Sequence, residues 1–130
     1  MISMDTSAII DMFKEETSLL DVLKTIDDNI ISTMVNYQEV LFGLDLLNPK
    51  HAIEFDYYEN FFNEIDIVLL SKKASQKSSE ISWYLRKKGI IIDNFDCMIA
   101  GILLVNGVTE IITRNKKHFG HIPGLKVIAY

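Results

Sequence analysis

Short apolar runs alternate with amphipathic segments of helical length along the chain, and this alternation restricts the folds that it can adopt. Runs typical of strands occupy residues 2–4, 30–31, 65–70, 110–113 and 126–128. Apolar residues at helical spacing fill the stretches between them. Such alternation favours a parallel sheet, because each crossover helix packs back onto a face of the sheet. The sequence therefore predicts an α/β fold of three layers, with a mostly parallel central sheet flanked by helices on both faces.

Capping residues and chain breakers place the predicted helices between these strands. Thr6 and Ser7 can cap the first helix, Ser32 and Thr33 the third and Ser71 the fifth, and Pro49 separates two others. The expected helices cover residues 8–13, 17–26, 33–47, 51–63, 71–88 and 95–106. The chain has 130 residues, of which 48% are apolar. That is enough for one domain to bury about two thirds of its surface, and we expect residues 1–130 to form a single domain.

Two features argue against a membrane protein and against redox chemistry. The longest apolar run, residues 97–105, is too short to cross a bilayer, and the amino terminus lacks the basic flank of a signal peptide. We therefore expect a cytoplasmic protein. Cys97 is the only cysteine, so neither an internal disulfide nor a thiolate zinc site is possible, and its apolar surroundings predict a buried, inert thiol.

The two halves of the chain carry opposite charge. Residues 1–70 contain 14 acids and 3 bases, whereas residues 71–130 contain 4 acids and 10 bases. An acidic chain is a poor passive binder of nucleic acid, but a local basic surface can still contact phosphates. Such a surface is predicted at Arg114, Lys116 and Lys117, although a solvated helix face is the more ordinary interpretation of any single lysine.

Acidic and amide side chains follow or precede the predicted strands at one edge of the sheet. Asp5 ends the first strand, Asp96 begins an apolar helix, and Asn115 follows the fourth strand, while Glu39 can reach the same edge from its helix. Carboxylates gathered in a dry crevice take up protons unless a cation neutralises them. Mg²⁺ or Mn²⁺ with a phosphate ligand would satisfy them, which indicates phosphoester chemistry. Helix capping for Asp5 and Asp96 and solvation for Glu39 remain alternatives, and Asp11 is assigned to capping or solvent.

Aromatic residues are concentrated in the segment after Pro49. Tyr57, Tyr58, Phe61 and Phe62 lie within one predicted helix. Together with the neighbouring apolar residues they exceed the single stripe that a helix normally buries. Both a core role and a protein-binding surface are therefore open.

Four segments together carry a family resemblance that spans the whole chain. They are Asp5-Thr6-Ser7 after the first strand, Glu39 in the helix after the second strand, residues 95–100 (Phe-Asp-Cys-Met-Ile-Ala) and residues 113–119 with the following Ile122-Pro123-Gly124-Leu125. With these motifs the chain resembles a PIN domain. In its short length it is similar to the VapC-type toxins of toxin-antitoxin modules.

The resemblance implies a metal-dependent endoribonuclease that uses Mg²⁺ or Mn²⁺. Its ligands and catalytic acids would be Asp5, Glu39 and Asp96, and Thr113 would orient them. Thr6, Asn94 and Asn115 would be supporting residues. Many members carry a further acid in the last loop, where this chain has Asn115 and His118 instead.

The same resemblance implies three partners. RNA would be the substrate, with Arg114, Lys116 and Lys117 near its phosphates. A small antitoxin protein would cover hydrophobic grooves, and a second copy of the chain would form a homodimer. The candidate contacts for these proteins are Tyr57, Tyr58, Phe61, Phe62, Trp83 and Tyr84.

Two other functions compete with the nuclease hypothesis. A PIN-fold interaction module could bind a partner protein or RNA without cleaving it, and Asn115 in place of an acid keeps this alternative open. A phosphatase with Asp5 as its nucleophile would need an acid two residues later, where Ser7 stands.

Overall fold

A computed structural model describes all 130 residues and contains one sheet of five strands. The strands are β1 (Ile2–Met4), β2 (Ile30–Thr33), β3 (Asp66–Val68), β4 (Glu110–Ile112) and β5 (Lys126–Ile128). Their order across the sheet is β3-β2-β1-β4-β5, and every adjacent pair is parallel. The predicted parallel sheet is confirmed, without any antiparallel strand.

Seven helices connect the strands, and the predicted ends of the third helix and the third strand are wrong. The helices are α1 (Thr6–Phe13), α2 (Thr17–Thr25), α3 (Met34–Phe42), α4 (Ala52–Glu64), α5 (Lys72–Lys87), α6 (Asn94–Val105) and α7 (Lys116–Phe119), with a 3-10 turn at Pro49–His51. Helix α3 ends at Phe42 instead of residue 47, because Gly43 caps it and the chain turns. Strand β3 ends at Val68, and Leu69 and Leu70 leave the sheet with exposed side chains. None of the helices combines the length and apolarity needed to cross a membrane.

The sheet has a hydrophobic cluster on each face, which makes three layers. On one face Ile31 and Ile111 belong to a cluster with residues of α5 and α6, including Leu85, Ile99 and Leu103. On the other face Met4 and Ile112 belong to a cluster with α1, α2 and α4, including Ile9, Leu19 and Phe62. Neighbouring residues of β4 therefore face opposite layers, as the period of a strand requires.

The order of the strands creates a crevice beside β1. From β1 the chain moves outward to β2 and β3, and it then returns to β4 on the other side of β1. A reversal of this kind leaves a crevice at the carboxyl ends of the two central strands. Ser3 pairs with Ile111 and Met4 with Ile112, so that Asp5 and Thr113 both follow the last paired residues at this edge.

Helix α6 is buried, as its uniformly apolar sequence predicted, and Cys97 is a buried free thiol. The position of helix α6 depends on its close approach to α5 at Gly101. A Cβ atom at Gly101 would lie 2.6 Å from the Ala74 carbonyl oxygen and 2.9 Å from the Ser78 amide nitrogen. The packing of α6 fixes its amino-terminal turn, and with it Asp96, at the edge of the sheet.

Candidate functional site

Asp5 lies at the bottom of the crevice and is 4% exposed. Its amide donates to the Ile112 carbonyl oxygen at 3.0 Å, which extends the pairing of β1 with β4 by one residue. It stands at the N-cap position of α1, but its side chain caps no helix amide. Instead Oδ1 accepts from Asn36 Nδ2 at 3.0 Å, and Oδ2 accepts from Thr113 Oγ1 at 2.6 Å. The capping alternative for Asp5 is therefore excluded.

Asn36 is a fully buried residue of the site that the sequence analysis missed. Its amide and side-chain oxygen are both bonded to Thr33 Oγ1, the N-cap of α3, and its Nδ2 donates to Asp5 and also to Thr6 Oγ1 at 3.0 Å. Ser32, the other predicted cap, instead donates to the Met4 carbonyl oxygen. A sequence signal was present, because Asn36 precedes Glu39 by three residues and shares its helix face.

Glu39 reaches the crevice from α3, as predicted. Thr6 Oγ1 donates to Glu39 Oε1 at 2.7 Å, and no donor contacts Oε2. Burial is the largest influence on this side chain and, together with the negative charges of Asp5, Asp96 and Asp93, raises its pKa to about 7 despite the bond from Thr6. Glu39 therefore carries only a partial charge at neutral pH when no cation is present.

Asp96 projects from the first turn of α6 and is 6% exposed. His118 Nδ1 lies 2.5 Å from Asp96 Oδ2, and Asn115 Nδ2 donates to the same oxygen at 3.2 Å. Burial raises the pKa of Asp96, and the bond to His118 opposes this effect. Asn115 and His118, which stand in place of the expected loop acid, therefore both contact Asp96. The other carboxylate oxygen of Asp96, Oδ1, has no hydrogen-bond partner.

Thr113 and Ser7 connect the first turn of α1 with the loop that follows β4. Thr113 Oγ1 lies 3.2 Å from Ser7 Oγ, and it also accepts from the Asn115 amide at 2.9 Å. Ser7 Oγ accepts from the Arg114 amide at 3.1 Å. Ser7, which the sequence suggested only as a helix cap, therefore binds the loop that carries Asn115.

The chemistry of the donors fits a hard divalent cation. Burial raises the pKa of Asp5, although Thr113, Asn36 and Ser7 donate to it, and the charge of Asp5 in turn raises the pKa of Glu39 and Asp96. Protons and divalent cations both relieve this repulsion. The free oxygens Glu39 Oε2 and Asp96 Oδ1 are the ligand type that Mg²⁺ and Mn²⁺ prefer.

One expectation about the site is not met. No three His, Cys, Asp or Glu side chains are arranged in this structure as ligands of one ion. Each acid is turned toward its own donor: Asp5 to Thr113, Glu39 to Thr6, and Asp96 to His118. Magnesium commonly binds through one or two carboxylates and completes its coordination with water, so that convergence of all three is not required.

Arg114 is connected to a buried acid that the sequence analysis assigned wrongly. Asp11 is 2% exposed and accepts from Arg114 Nε at 2.7 Å and from the Tyr130 hydroxyl at 2.6 Å. It neither caps a helix nor faces solvent. The Arg114 side chain is 59% exposed outside this ion pair, and Lys116 and Lys117 are exposed on α7.

Asn94 does not join the acids. It makes no side-chain hydrogen bond to Asp5, Glu39 or Asp96, and it lines a groove between α5 and α6 together with Trp83 and Arg86. The helix cap is Asp93, whose side chain accepts from the Phe95 amide at 2.7 Å. The expectation that Asn94 supports the acidic cluster is therefore wrong.

The aromatic residues predicted as partner contacts differ in their burial. Tyr58 and Phe62 are buried in the core beneath α4, so the prediction of a partner surface is wrong for both. Phe61 is partly buried against the same core. Large exposed areas remain on Tyr57, Trp83 and Tyr84, for which partner binding stays a prediction.

Comparison with known proteins relates this arrangement to one family. The PIN domain family model matches residues 2–125. Ribonuclease VapC1 of Methanocaldococcus jannaschii is 29% identical over 129 residues, which cover 97% of this chain and 85% of that protein.

Solved structures share the whole fold. VapBC2 from Rickettsia felis, bound to a DNA fragment from its promoter, superimposes with a TM-score of 0.85 at 24% identity and covers 100% of this chain and 99% of its own. DNA-bound VapBC from Salmonella typhimurium has a TM-score of 0.83 at 19% identity and covers 98% and 96%. At these identities the likeness establishes the three-layer fold.

Proposed function

The chain belongs to the PIN domain family, and on this premise we propose that it is a divalent-metal-dependent endoribonuclease, the toxin of a toxin-antitoxin pair. The observation that carries the proposal is the crevice at the carboxyl edge of the sheet, where Asp5, Glu39 and Asp96 lie and where the charge of the buried Asp5 raises the pKa of both Glu39 and Asp96. The relative named Ribonuclease VapC1 supports RNA as the substrate. We expect the protein to act in the cytoplasm, where its RNA substrate would be found. We also expect the chain to form a single domain.

Each residue has a distinct task in this mechanism. Asp96 and Glu39 would bind Mg²⁺ or Mn²⁺ through their free oxygens, and Asp5 would complete the negative site beneath them. The bound cation would polarise the phosphate and lower the pKa of a bound water. Thr113, Asn36 and Thr6 fix the orientation of the carboxylates by hydrogen bonds. Because these hydrogen bonds form in the absence of substrate, the acids are oriented before the substrate binds.

Positive charge at the rim would receive the RNA backbone. Arg114 is oriented by Asp11, and Lys116 and Lys117 are exposed on the next turn. Contacts of this kind position a substrate without selecting its sequence. His118 contacts Asp96 from the same segment, so that the loop connects the phosphate contacts with the acidic site.

We propose a small antitoxin protein and a second copy of the chain as partners. The solved VapBC neighbours support a protein partner of this type. Exposed Trp83 and Tyr84 on α5 and Tyr57 on α4 are the candidate contacts, because aromatic side chains are enriched at protein interfaces. Co-expression with the neighbouring gene product and sedimentation of the isolated chain would test the two associations separately.

The central test is cleavage of a panel of transfer and ribosomal RNAs by the purified protein in Mg²⁺ or Mn²⁺. We expect fragments that disappear with EDTA and in Asp5→Asn and Asp96→Asn. Asp21→Asn, an exposed acid on α2, is the matched control and should cleave normally. Cleavage by the Asp5 and Asp96 variants at the wild-type rate would refute the proposal, and RNA binding without cleavage would favour the non-catalytic interaction module.

A further inference from the structure

An apolar pocket opens beside Glu39, outside the hydrogen-bonded network of the acids. Its volume is ≈ 380 Å³, within the range of about 300 to 1,000 Å³ typical of small-ligand sites. Three segments form its walls: the first turns of α3, the chain after β3 and the start of α6. The lining residues besides Glu39 are Met34, Val35, Gln38, Leu69, Leu70 and Phe95.

The pocket brings together side chains that are individually unfavourable in water. Leu69 is 62% exposed, and Leu70, Phe95 and Met34 are each about 40% exposed. Single exposed apolar residues are common and need no explanation, but several that line one concavity mark a binding site. Leu69 and Leu70 are in this position because β3 ends at Val68, two residues earlier than the apolar run in the sequence.

We propose that this pocket binds an unpaired nucleobase of the RNA, on the nucleotide adjoining the phosphate in the acidic crevice. The inference rests on the proposed nuclease function. Two residues connect the pocket with the crevice: Glu39 borders both, and Phe95 precedes Asp96 in the first turn of α6. A base on Phe95 would therefore place the attached backbone next to the acids.

The chemistry of the walls matches a nucleobase better than a phosphate. Phe95 offers an aromatic ring for stacking, and single-stranded RNA is recognised mainly by such stacking. Gln38 provides an amide with one acceptor and two donor positions for the edge of a base. The pocket contains no cationic residue, and Glu39 would repel a phosphate, so the occupant is not an anion. The positively charged side chains of Lys116 and Lys117 remain available for the RNA backbone.

Binding to short single-stranded RNA in EDTA tests the pocket without any cleavage. The probes are hexaribonucleotides in which one position at a time lacks its base. We expect one position at which loss of the base weakens wild-type binding about tenfold or more, the range for one stacked base. Phe95→Ala should bind every probe at this weaker level, and Phe95→Tyr should restore the difference. All variants keep the same acids, so that their repulsion of RNA cancels in the comparison.

Ile53→Ala is the control, because Ile53 is an exposed apolar residue on α4 that does not line the pocket. It should bind the probes as the wild type does. Equal affinity of Phe95→Ala and wild type for the complete hexamer would overturn the inference. So would a change in sedimentation of Phe95→Ala with unchanged RNA affinity, since the pocket would then be a contact between two copies of the chain.

The base-binding experiment and the RNA cleavage test can fail independently of each other. Base-dependent binding without cleavage in Mg²⁺ would refute the nuclease function alone. Cleavage by Phe95→Ala at the wild-type rate and positions, with unchanged binding, would refute the pocket alone.

Discussion

The Thr113 hydroxyl donates a 2.6 Å hydrogen bond to Asp5 Oδ2, although the two residues are 108 positions apart in the chain. This bond joins the ends of the two central strands and partly offsets the burial of the Asp5 carboxylate. Through its contacts with Ser7 Oγ and the Asn115 amide, Thr113 also links the first turn of α1 to the loop of Asn115.

Thr113→Val is expected to destabilise the protein by about 1 to 3 kcal/mol at neutral pH, because a buried acceptor loses its donor. Urea unfolding measures this free energy. Thr113→Ser retains the hydroxyl and should lose much less. If the Val and Ser variants were equally stable, the bond to Asp5 would contribute nothing measurable.

Glu39→Gln is expected to change the pH dependence of stability. The pKa of Glu39 in the folded state is raised from 4.5 to about 7, so between these values the folded state binds more protons than the unfolded state. Its contribution is therefore fully present below pH 4.5 and is lost as the pH rises through 7. In EDTA the variant should gain about 1 to 3 kcal/mol relative to wild type between pH 4.5 and pH 8. Parallel stability curves for the two proteins would contradict the raised pKa.

Divalent cations are expected to raise the melting temperature. A cation that binds only the folded state at ~100 times its Kd stabilises that state by ~2.7 kcal/mol, which is several degrees for a chain of this size. Calorimetry with Mn²⁺ or Mg²⁺ should show this shift in wild type and Asp21→Asn, and most of it should be absent in Asp5→Asn. An equal shift in all three proteins would place the cation elsewhere.

Asp11→Ala is expected to cost about 1 to 3 kcal/mol, because it removes a buried acceptor shared by Arg114 and Tyr130. Tyr130→Phe should cost less, since Asp11 keeps its ion pair with Arg114. A double-mutant cycle of Asp11 and Tyr130 measures their coupling. Asp21→Ala on the exposed face of α2 should stay within about 0.5 kcal/mol of wild type.

Gly101→Ala is expected to destabilise the protein by about 1 to 3 kcal/mol or more through overpacking. The added Cβ would lie 2.6 Å from a backbone oxygen of α5, and helices α5 and α6 would have to separate. Gly43→Ala is the matched control, because its Cβ would lie 3.3 Å from the nearest atom and its φ of −81° suits any residue. Chemical denaturation of both variants compares the two positions directly.

Much of the fold was predictable because its signals are local. The burial of β1 and α6 follows from apolar residues at strand and helix spacing, and the positions of Asp5 and Asp96 at the sheet edge follow from where these elements end. Boundaries were less predictable: α3 and β3 are both shorter than their apolar patterns, because Gly43 and the chain after Val68 turn away from the layers.

The sequence alone determined the succession of strands and helices along the chain and the positions of the principal acids at the ends of these elements. Both depend on neighbours within a few residues. Only the tertiary structure decided that Asn36 and Ser7 join the site, that Asp11 is buried with Arg114 and Tyr130, and that Tyr58 and Phe62 are core. A polar side chain can face water or be paired at the same local spacing. Which state it adopts depends on partners from distant segments, and these meet only when the sheet has brought the ends of its strands together.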